Sequence, residues 1–303
     1  MKKNSSNKVS DNSQESFPKV EINWFPGHMA KTRRMMKEML PQIDMVIELI
    51  DARIPASSKN PELYKMIGNK PTLTLLSKSS LADPTSSERW KKKFSEDGRA
   101  CLFIDSSTGS GINSIPDAIK QVMSEKLKRY ENKGMVGRQI RVMLAGIPNV
   151  GKSSLINRLS GGKKAKVEDR PGVTRDKQWI TTNLGIELLD TPGVLWPKFE
   201  DQTVGENLAV TGAIRDEILD SERMAVILCG KLRKKYPELL AARYKLGDML
   251  QYNDLLDYEL FEVIGRKRGF LVSGGEIDTE RTAVMLLDEF RGGKIGRITL
   301  EEP

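Results

Sequence analysis

The strongest constraint on the fold of this chain is an eight-residue loop at positions 146–153, which reads GIPNVGKS. Two glycines separated by four residues and followed by Lys and Ser form the P-loop pattern, which requires a strand before it and a helix after it. An apolar run at 140–145 and a helical pattern from residue 154 supply both. A glycine-rich turn without a ligand is the alternative interpretation, and the two flanking elements argue against it.

The P-loop pattern predicts how the loop would hold a nucleotide. Backbone N–H groups of the loop and of the helix N-terminus surround phosphate groups. We expect Lys152 to neutralise the β- and γ-phosphates during catalysis and Ser153 to ligate Mg²⁺. The predicted nucleotide contacts from this loop are Asn149, Val150, Gly151, Lys152, Ser153 and Ser154.

Two further segments predict sensors of the γ-phosphate. Asp190 follows an apolar run at 186–189 and opens an Asp-x-x-Gly sequence that ends at Gly193. We expect Asp190 to hold Mg²⁺ through water and the Gly193 N–H to reach the γ-phosphate. Thr174 lies between the P-loop and Asp190, where a switch loop would place a second, catalytic Mg²⁺ ligand. An ordinary loop threonine is the alternative for Thr174.

The candidate base-recognition residues come before the P-loop, whereas they follow it in ordinary GTPases. They lie after apolar runs at 72–76 and 101–104, and the cyclic order of the motifs is preserved. Since the termini of a domain often lie close together, a circular permutation explains this order. The predicted base-side contacts are Ser77, Lys78, Ser79, Ser80, Ser106 and Ser107.

Five short apolar runs alternate with helical patterns up to about residue 197, and the remainder of the chain is mainly helical. The predicted strands lie at 45–50, 72–76, 101–104, 140–145 and 186–189, and the predicted helices at 30–40, 61–67, 87–94, 112–130, 222–236, 237–246 and 279–290. This alternation favours an α/β fold with a mainly parallel sheet and helices on both faces. We expect a disordered tail at 1–20, a nucleotide-binding domain at 21–200 and a small helical domain at 201–303.

The order of four motifs resembles that of the ribosome biogenesis GTPase A (YlqF) family, from about Trp24 to the end of the chain. The motifs are WFPGHM at 24–29, DARIP at 51–55, the P-loop at 146–153 and DTPGVLWP at 190–197. The resemblance implies a circularly permuted P-loop GTPase domain with a helical, ribosome-binding C-terminal domain. It also implies that GTP is hydrolysed to GDP with Mg²⁺ late in the assembly of the 50S ribosomal subunit, and that ribosomal particles stimulate this hydrolysis.

The chain departs from the family at the base-recognition loop, where Ser77 replaces Asn and Ser80 replaces Asp. The family's Asp carboxylate accepts the guanine N1–H and N2–H₂ together, and a serine cannot make that bidentate contact. Losing a charge-assisted pair costs ~1.5–3 kcal/mol. A nucleotide-promiscuous P-loop NTPase is therefore one alternative function.

The position directly after Asp-x-x-Gly is Val194, where most small GTPases carry the glutamine that orients the attacking water. The resemblance points instead to His28, the only histidine of the chain. A partly buried or helix-capping histidine is the alternative. The resemblance also implies that Asn149 helps to hold a K⁺ ion beside the phosphates, and an asparagine that merely stabilises the loop is the alternative there.

The formal net charge of +8 favours polyanionic partners such as rRNA. Basic clusters lie at 231–235, 266–268 and 291–297 and in the helix that follows residue 30. Ordinary solvated helix faces are the alternative interpretation, and a GTP-regulated rRNA-binding module with incidental hydrolysis is the second alternative function. The expected partners are the precursor of the large subunit, its rRNA and ribosomal proteins.

Cys101 and Cys229 lie in apolar runs, which indicates buried thiols in a reducing cytoplasm. The N-terminal segment lacks the apolar core of a signal peptide, and no apolar stretch reaches the roughly 18 residues of a membrane span. We therefore expect a cytoplasmic monomer without stable membrane association.

Overall fold

The computed structural model describes residues 27–135, 137–160, 179–182 and 185–303. The predicted tail at 1–20, the aromatic segment at 24–26 and Thr174 lie outside the described residues, as does the side chain of His28. In the described part of the chain, no helix is long and apolar enough to cross a membrane.

A six-stranded sheet forms the centre of the fold, with the order β3-β2-β1-β4-β6-β5. The strands β1 to β4 and β6 pair in parallel, and only β5 is antiparallel to its neighbour β6. The five predicted strands are confirmed to within a residue or two at their ends, whereas β5 was not predicted because three residues carry too little pattern. The strands are β1 Met45–Asp51, β2 Thr72–Ser77, β3 Ala100–Phe103, β4 Ile140–Gly146, β5 Trp179–Thr181 and β6 Ile186–Asp190.

Helices connect the parallel strands and form the C-terminal part of the chain. The helix predicted at 112–130 is broken into a short 3₁₀ turn and two α-helices that meet at Met123. Two C-terminal helices, α7 and α10, were not predicted. The helices are α1 Gly27–Met39, α2 Pro61–Ile67, α3 Pro84–Glu96, α4 Ile115–Val122, α5 Ser124–Asn132, α6 Lys152–Leu159, α7 Gln202–Val210, α8 Ser221–Lys235, α9 Pro237–Tyr244, α10 Asp257–Lys267 and α11 Thr279–Arg291.

Local sequence explains where several of these helices begin. An Asp or Asn side chain accepts a hydrogen bond from a backbone N–H of the first turn, which satisfies a donor that has no partner within the helix. In α2 and α3 a proline follows this cap, since its fixed φ suits the first helical position. The capping residues are Asn60, Asp83, Asp201, Asp220 and Asp278.

The parallel pairing brings the predicted motifs to one edge of the sheet. Ligands in open α/β folds bind outside the carboxyl ends of the strands. The loops that leave the carboxyl ends of β2, β3, β4 and β6 carry the base-side serines, the P-loop and the Asp-x-x-Gly sequence. The central strand β1 is fully buried and separates the base-side strands from the phosphate-side strands.

The C-terminal helices pack against the sheet-containing part, and the end of the chain runs back over it. The backbone N–H groups of Ile298 and Leu300 donate to Leu81 O and Arg53 O, each over 2.8 Å. The Glu301 carboxylate accepts a hydrogen bond of 3.0 Å from the Ser57 N–H and one of 2.9 Å from the Asn207 side chain. Buried apolar residues from both parts form one contiguous cluster. A division of the chain at residue 200 stays a prediction.

The two cysteines are free thiols. Cys229 is buried in α8, where burial raises the pKa of its thiol well above the ordinary range. Cys101 is half-buried in the edge strand β3, so the prediction of a buried thiol is confirmed for Cys229 and only partly for Cys101.

Glu48 is a buried carboxyl group in the middle of β1, with 1% of its surface exposed. Burial raises its pKa to about 6, although the Tyr64 hydroxyl donates a hydrogen bond to it and Arg99 and Lys59 oppose the rise. An acid with a raised folded-state pKa stabilises the fold below its unfolded-state pKa and loses that contribution as the pH rises through the folded value. Glu48 is therefore destabilising in its ionised form at neutral pH.

We expect Glu48→Gln to raise the free energy of unfolding at pH 7.5 by about 2 kcal/mol, since one pKa unit corresponds to about 1.4 kcal/mol. The gain should shrink through pH 6 and vanish below the ordinary glutamate pKa of 4.5. Urea denaturation at pH 7.5, 6 and 4.5 measures it. Glu88→Gln, at a side chain 78% exposed on α3, is the matched control. A gain that does not change with pH would contradict this account of Glu48.

Candidate nucleotide-binding site

The P-loop forms a tight turn between β4 and α6. A Cβ atom at Gly146 would lie 2.6 Å from Leu49 O in the neighbouring strand, so this position must be glycine. Gly151 has a left-handed conformation with φ of 106° and caps the N-terminus of α6. The exposed side chains of Ser153 and Ser154 lie in the first turn of that helix. The loop and the helix N-terminus therefore combine backbone donors with hydroxyl groups at one position.

Lys152 lies within the loop and has only 8% of its surface exposed. Its ammonium group donates to Gly146 O over 3.0 Å and to Ile147 O over 2.8 Å. Burial lowers the pKa of Lys152 to about 8, and the negative charge of Asp190 partly opposes this effect. Among the described residues, Asp190 is the charged group that opposes the lowered pKa of Lys152. Phosphate oxygens carry negative charge and would therefore pair with this ammonium group more strongly than the two neutral carbonyls.

The Asp-x-x-Gly loop lies directly against the P-loop. The Val194 N–H donates to Gly146 O over 3.2 Å, and the Thr191 hydroxyl donates to Leu144 O over 2.6 Å. A Cβ atom at Gly193 would lie 2.5 Å from Pro148 Cα, so a side chain cannot fit between the two loops. Burial raises the pKa of Asp190, against the opposing effects of Lys152 and the Thr191 N–H.

An open groove of about 440 Å³ lies between these two loops. The Ser153 hydroxyl and the Asp190 carboxylate line it, and such hard oxygen donors suit Mg²⁺, which binds to proteins through few ligands and takes the rest from phosphates and water. No group of three or more His, Cys, Asp or Glu side chains that could enclose a metal occurs among the described residues. When bound with the nucleotide, Mg²⁺ neutralises charge on the β- and γ-phosphates.

Ser77 joins the base-side loop to the P-loop. Its hydroxyl lies 2.7 Å from Val150 O and 3.0 Å from Ile50 O, so one donor is shared between two carbonyls. The adjacent Lys78 has a left-handed backbone with φ of 56°, and its ammonium group lies 3.0 Å from Asp51 Oδ2. Burial lowers the pKa of Lys78, and Asp51 opposes that shift. Ser77 therefore provides a side-chain link between the base-side loop and the P-loop.

The second base-side loop meets the first through backbone and side-chain bonds. The Ser79 N–H donates to Ile104 O over 3.1 Å. Ser80 Oγ lies 2.5 Å from Asp105 Oδ2, and the Ser107 N–H donates to Asp105 Oδ1 over 2.8 Å. Ser106 is half-buried and Ser107 is exposed. The structure thus brings residues 77–80 and 105–108 together, as the permuted order predicts, while their roles in binding a base stay predictions.

Sequence reasoning missed two residues of this region, Asp105 and Asn60, and one long-range contact of a third residue, Asn149. Asp105 precedes the predicted serines and holds their loop, although a lone Asp at a strand end is a weak signal. Asn60 both caps α2 and donates to Val194 O over 3.1 Å, which links the start of α2 to the Asp-x-x-Gly loop. Asn149, predicted as a cation ligand, donates through Nδ2 to Gly212 O over 2.7 Å, and no local pattern indicates that long-range contact.

A P-loop between strand and helix, an Asp-x-x-Gly loop packed on it and two base-side loops at the same sheet edge define a P-loop GTPase with circularly permuted motifs. Comparisons with known proteins agree with this class. The sequence model of the 50S ribosome-binding GTPase family matches residues 141–240. The chain is 49% identical over 285 residues to ribosome biogenesis GTPase A of Priestia megaterium, with 94% of this chain and 98% of the relative covered.

The corresponding protein of Bacillus cereus is 48% identical over 282 residues, with 93% of this chain and 94% of the relative covered. The crystal structure of GNP-bound YlqF from T. maritima superposes with a TM-score of 0.60 at 25% identity and covers 90% of this chain and 98% of that chain. The chain belongs to the ribosome biogenesis GTPase A family. It is a GTPase, which binds GTP, GDP and Mg²⁺.

Proposed function

We propose that this chain hydrolyses GTP in a late step of the assembly of the large (50S) ribosomal subunit, and that ribosomal particles stimulate the hydrolysis. The observation that carries this proposal is the 2.7 Å hydrogen bond between Asn149 of the P-loop and Gly212 O of the C-terminal part. A particle that displaces the C-terminal helices would act directly on the phosphate-binding loop. Relatives that match along nearly the whole chain are named ribosome biogenesis GTPase A, which supports the same role.

Many of the cations predicted to face rRNA are engaged within the chain itself. Arg291 pairs with Asp216 over 2.7 Å, Arg268 with Glu289 over 3.1 Å and Arg297 donates to Ala82 O over 2.8 Å. These contacts give the three arginines a structural role, while contact between them and rRNA stays a prediction. Among the described residues of the predicted basic clusters, the exposed cations available to rRNA phosphates are Arg34, Lys37, Lys234, Arg266, Lys267 and Lys294.

Catalysis needs a group to orient the attacking water, and Val194 is an apolar side chain with 6% exposure. Helix α1 packs beside this loop, since its residues Arg33 and Met36 line a small pocket together with Pro192 and Val194. This placement supports His28, in the first turn of α1, as the group that orients water. Thr174, which lies outside the described residues, is proposed as the second Mg²⁺ ligand because of its position between the P-loop and Asp190 in the sequence.

The activating cation of the proposed mechanism is K⁺, bound by the amide oxygen of Asn149. The amide nitrogen of this side chain already donates to Gly212 O, so the oxygen is the atom that a cation would use. A K⁺ ion beside the phosphates would stabilise charge that develops in the transition state. We further propose that the chain acts in the cytoplasm as a monomer.

The test is hydrolysis of GTP and ATP by the purified chain, in K⁺ and in Na⁺, with 50S subunits, with 30S subunits and without either. We expect turnover that is selective for GTP, faster in K⁺ and raised by 50S alone.

His28→Ala should bind GTP normally but hydrolyse it about 100-fold more slowly, which is the lower end of the range for the loss of an acid–base group. Equal use of both nucleotides would favour the promiscuous NTPase. Normal 50S assembly in cells that carry His28→Ala would favour an rRNA-binding module with incidental hydrolysis.

A further inference from the structure

We infer that Ser80 and Asp105 act as a pair that selects guanine, in which the Asp105 carboxylate orients the Ser80 hydroxyl as a hydrogen-bond acceptor for the base. This inference rests on the proposed GTPase function and assigns a specificity role to a residue from the opposite loop. It replaces the expectation that the serine at position 80 simply weakens the preference for guanine.

The contacts of Asp105 are extensive for a loop residue. Its Oδ1 accepts from the N–H groups of Ser107 and Thr108 over 2.8 and 2.9 Å. Its Oδ2 accepts from Ser80 Oγ over 2.5 Å and from Ser80 N over 3.3 Å. Only 3% of the residue is exposed. Burial raises the pKa of Asp105, but the bonds from Ser80, Thr108 and Ser107 outweigh it and the net pKa is lowered, so the group is a carboxylate at neutral pH.

An ionised carboxylate accepts hydrogen bonds and cannot donate them, which determines the direction of the bond to Ser80. The hydroxyl must donate its single proton to Asp105, so the remaining lone pairs of Oγ are available only as acceptors. Guanine presents N1–H and N2–H₂ donors on its Watson–Crick edge, whereas adenine presents the N1 acceptor and a C2–H at the corresponding positions. An Oγ that is held as an acceptor would bind the guanine edge and repel adenine N1.

The position of Ser80 relative to the P-loop agrees with a base contact. Ser77, three residues earlier, is bonded to Val150 O in the P-loop, and the Ser79 N–H is bonded to Ile104 O at the end of β3. The base-side loop is therefore held between the phosphate site and the Asp105 turn. The family carries a negative charge at position 80. In this chain, the carboxylate of Asp105 supplies a negative charge next to the Ser80 side chain.

The experiment measures the affinities of the full chain for fluorescent mant-GDP, mant-ADP and mant-XDP in wild type and variants. Asp105→Asn keeps an oxygen for the Ser107 and Thr108 N–H groups, but its amide can donate to Ser80 and release the hydroxyl proton toward the base. We expect the ratio of GDP to ADP affinity to fall about tenfold, or about 1.4 kcal/mol, and XDP affinity to rise because xanthine has an oxygen at C2.

Two further variants separate recognition from loop structure. Ser80→Ala should lower the GDP-to-ADP ratio to a similar extent, and Ser80→Ala combined with Asp105→Asn should lower it no further, because the two residues act as one unit. Ser80→Asp combined with Asp105→Asn returns the charge to position 80 and should restore the preference for GDP. Asp117→Asn, at a side chain 86% exposed on α4, is the matched control and should leave the ratio unchanged.

Two outcomes would overturn this inference and leave the proposed GTPase function intact. In the first, wild type prefers GDP and Asp105→Asn leaves the GDP-to-ADP ratio unchanged. In the second, Asp105→Asn weakens GDP and ADP equally, which is the result of a structural role only. A wild-type chain without any preference for guanine would overturn the proposed GTP-dependent function and this inference with it.

Discussion

Gly193→Ala is expected to lower the kcat of GTP hydrolysis about 100-fold, since a displacement of about 1 Å in a catalytic group has an effect of that size. The added Cβ would lie 2.5 Å from Pro148 Cα and 2.6 Å from Pro148 N, and both are backbone atoms that cannot turn aside. The loop must therefore withdraw from the P-loop, and the Gly193 N–H moves away from its proposed partner, the γ-phosphate. Single-turnover hydrolysis measures this effect.

GDP has no γ-phosphate, so its affinity should change much less than kcat. Gly134→Ala is the control, because a Cβ there meets no atom within 4 Å although the residue has φ of +72°. This control should cost some stability and leave hydrolysis unchanged. If Gly193→Ala hydrolysed GTP at the wild-type rate, the close packing of the two loops would not be required for catalysis.

Arg53→Met is expected to lower the free energy of unfolding by about 3 kcal/mol, which is the lower end of the range for breaking a buried ion pair. Arg53 lies 2.8 Å from Asp51 Oδ2, and the two side chains are 1% and 2% exposed. Burial alone would raise the pKa of Asp51, but Arg53 and Lys78 hold it well below its ordinary range. Lys78 remains 3.0 Å from the carboxylate, which keeps the expected loss at the lower end. Urea denaturation at neutral pH measures the loss.

The sign of the pH dependence follows from the lowered pKa of Asp51. Such an acid contributes stability above its unfolded-state pKa and loses it as the pH falls through the folded value. The difference between wild type and Arg53→Met should therefore shrink in acid. Asp51→Asn combined with Arg53→Met should be less destabilising than Arg53→Met alone, because it removes the fully buried carboxylate. The cation that then loses its partner is Lys78, whose side chain is 26% exposed and can reach water. Arg89→Met, at an exposed pair with Glu302, should change stability by less than about 1 kcal/mol.

Arg53 of this ion pair also connects the sheet-containing part of the chain to the C-terminal helix α11. Arg53 donates to Arg291 O over 3.4 Å, and its guanidinium lies 5.2 Å from the centre of the Phe290 ring. From the sequence alone, the DARIP motif contributes only to the family resemblance. Its burial between the sheet and α11 could not be predicted, because charged residues after a strand usually face water.

Much of the fold could be predicted because it depends on local patterns. Five strands follow from short apolar runs, and the P-loop follows from glycines, lysine and serine at fixed spacing between a strand and a helix. The shared edge of the base-side and phosphate-side loops follows from parallel pairing. Errors occurred where the local pattern is weak: β5 has three residues, and the helix predicted at 112–130 breaks at Met123.

The sequence by itself therefore determined the order of the motifs, the class of fold and the phosphate-binding chemistry, because each depends on residues close together in the chain. Only the tertiary structure decided which distant groups meet. It placed Asp105 against Ser80, Asn149 against Gly212 O and Asn60 against Val194 O. Each of these contacts joins two loops whose separation in space depends on strand order and helix packing. No pattern within one segment contains that information, so the proposed role of Asp105 in guanine selection and the contacts between the two parts could be inferred only from the folded chain.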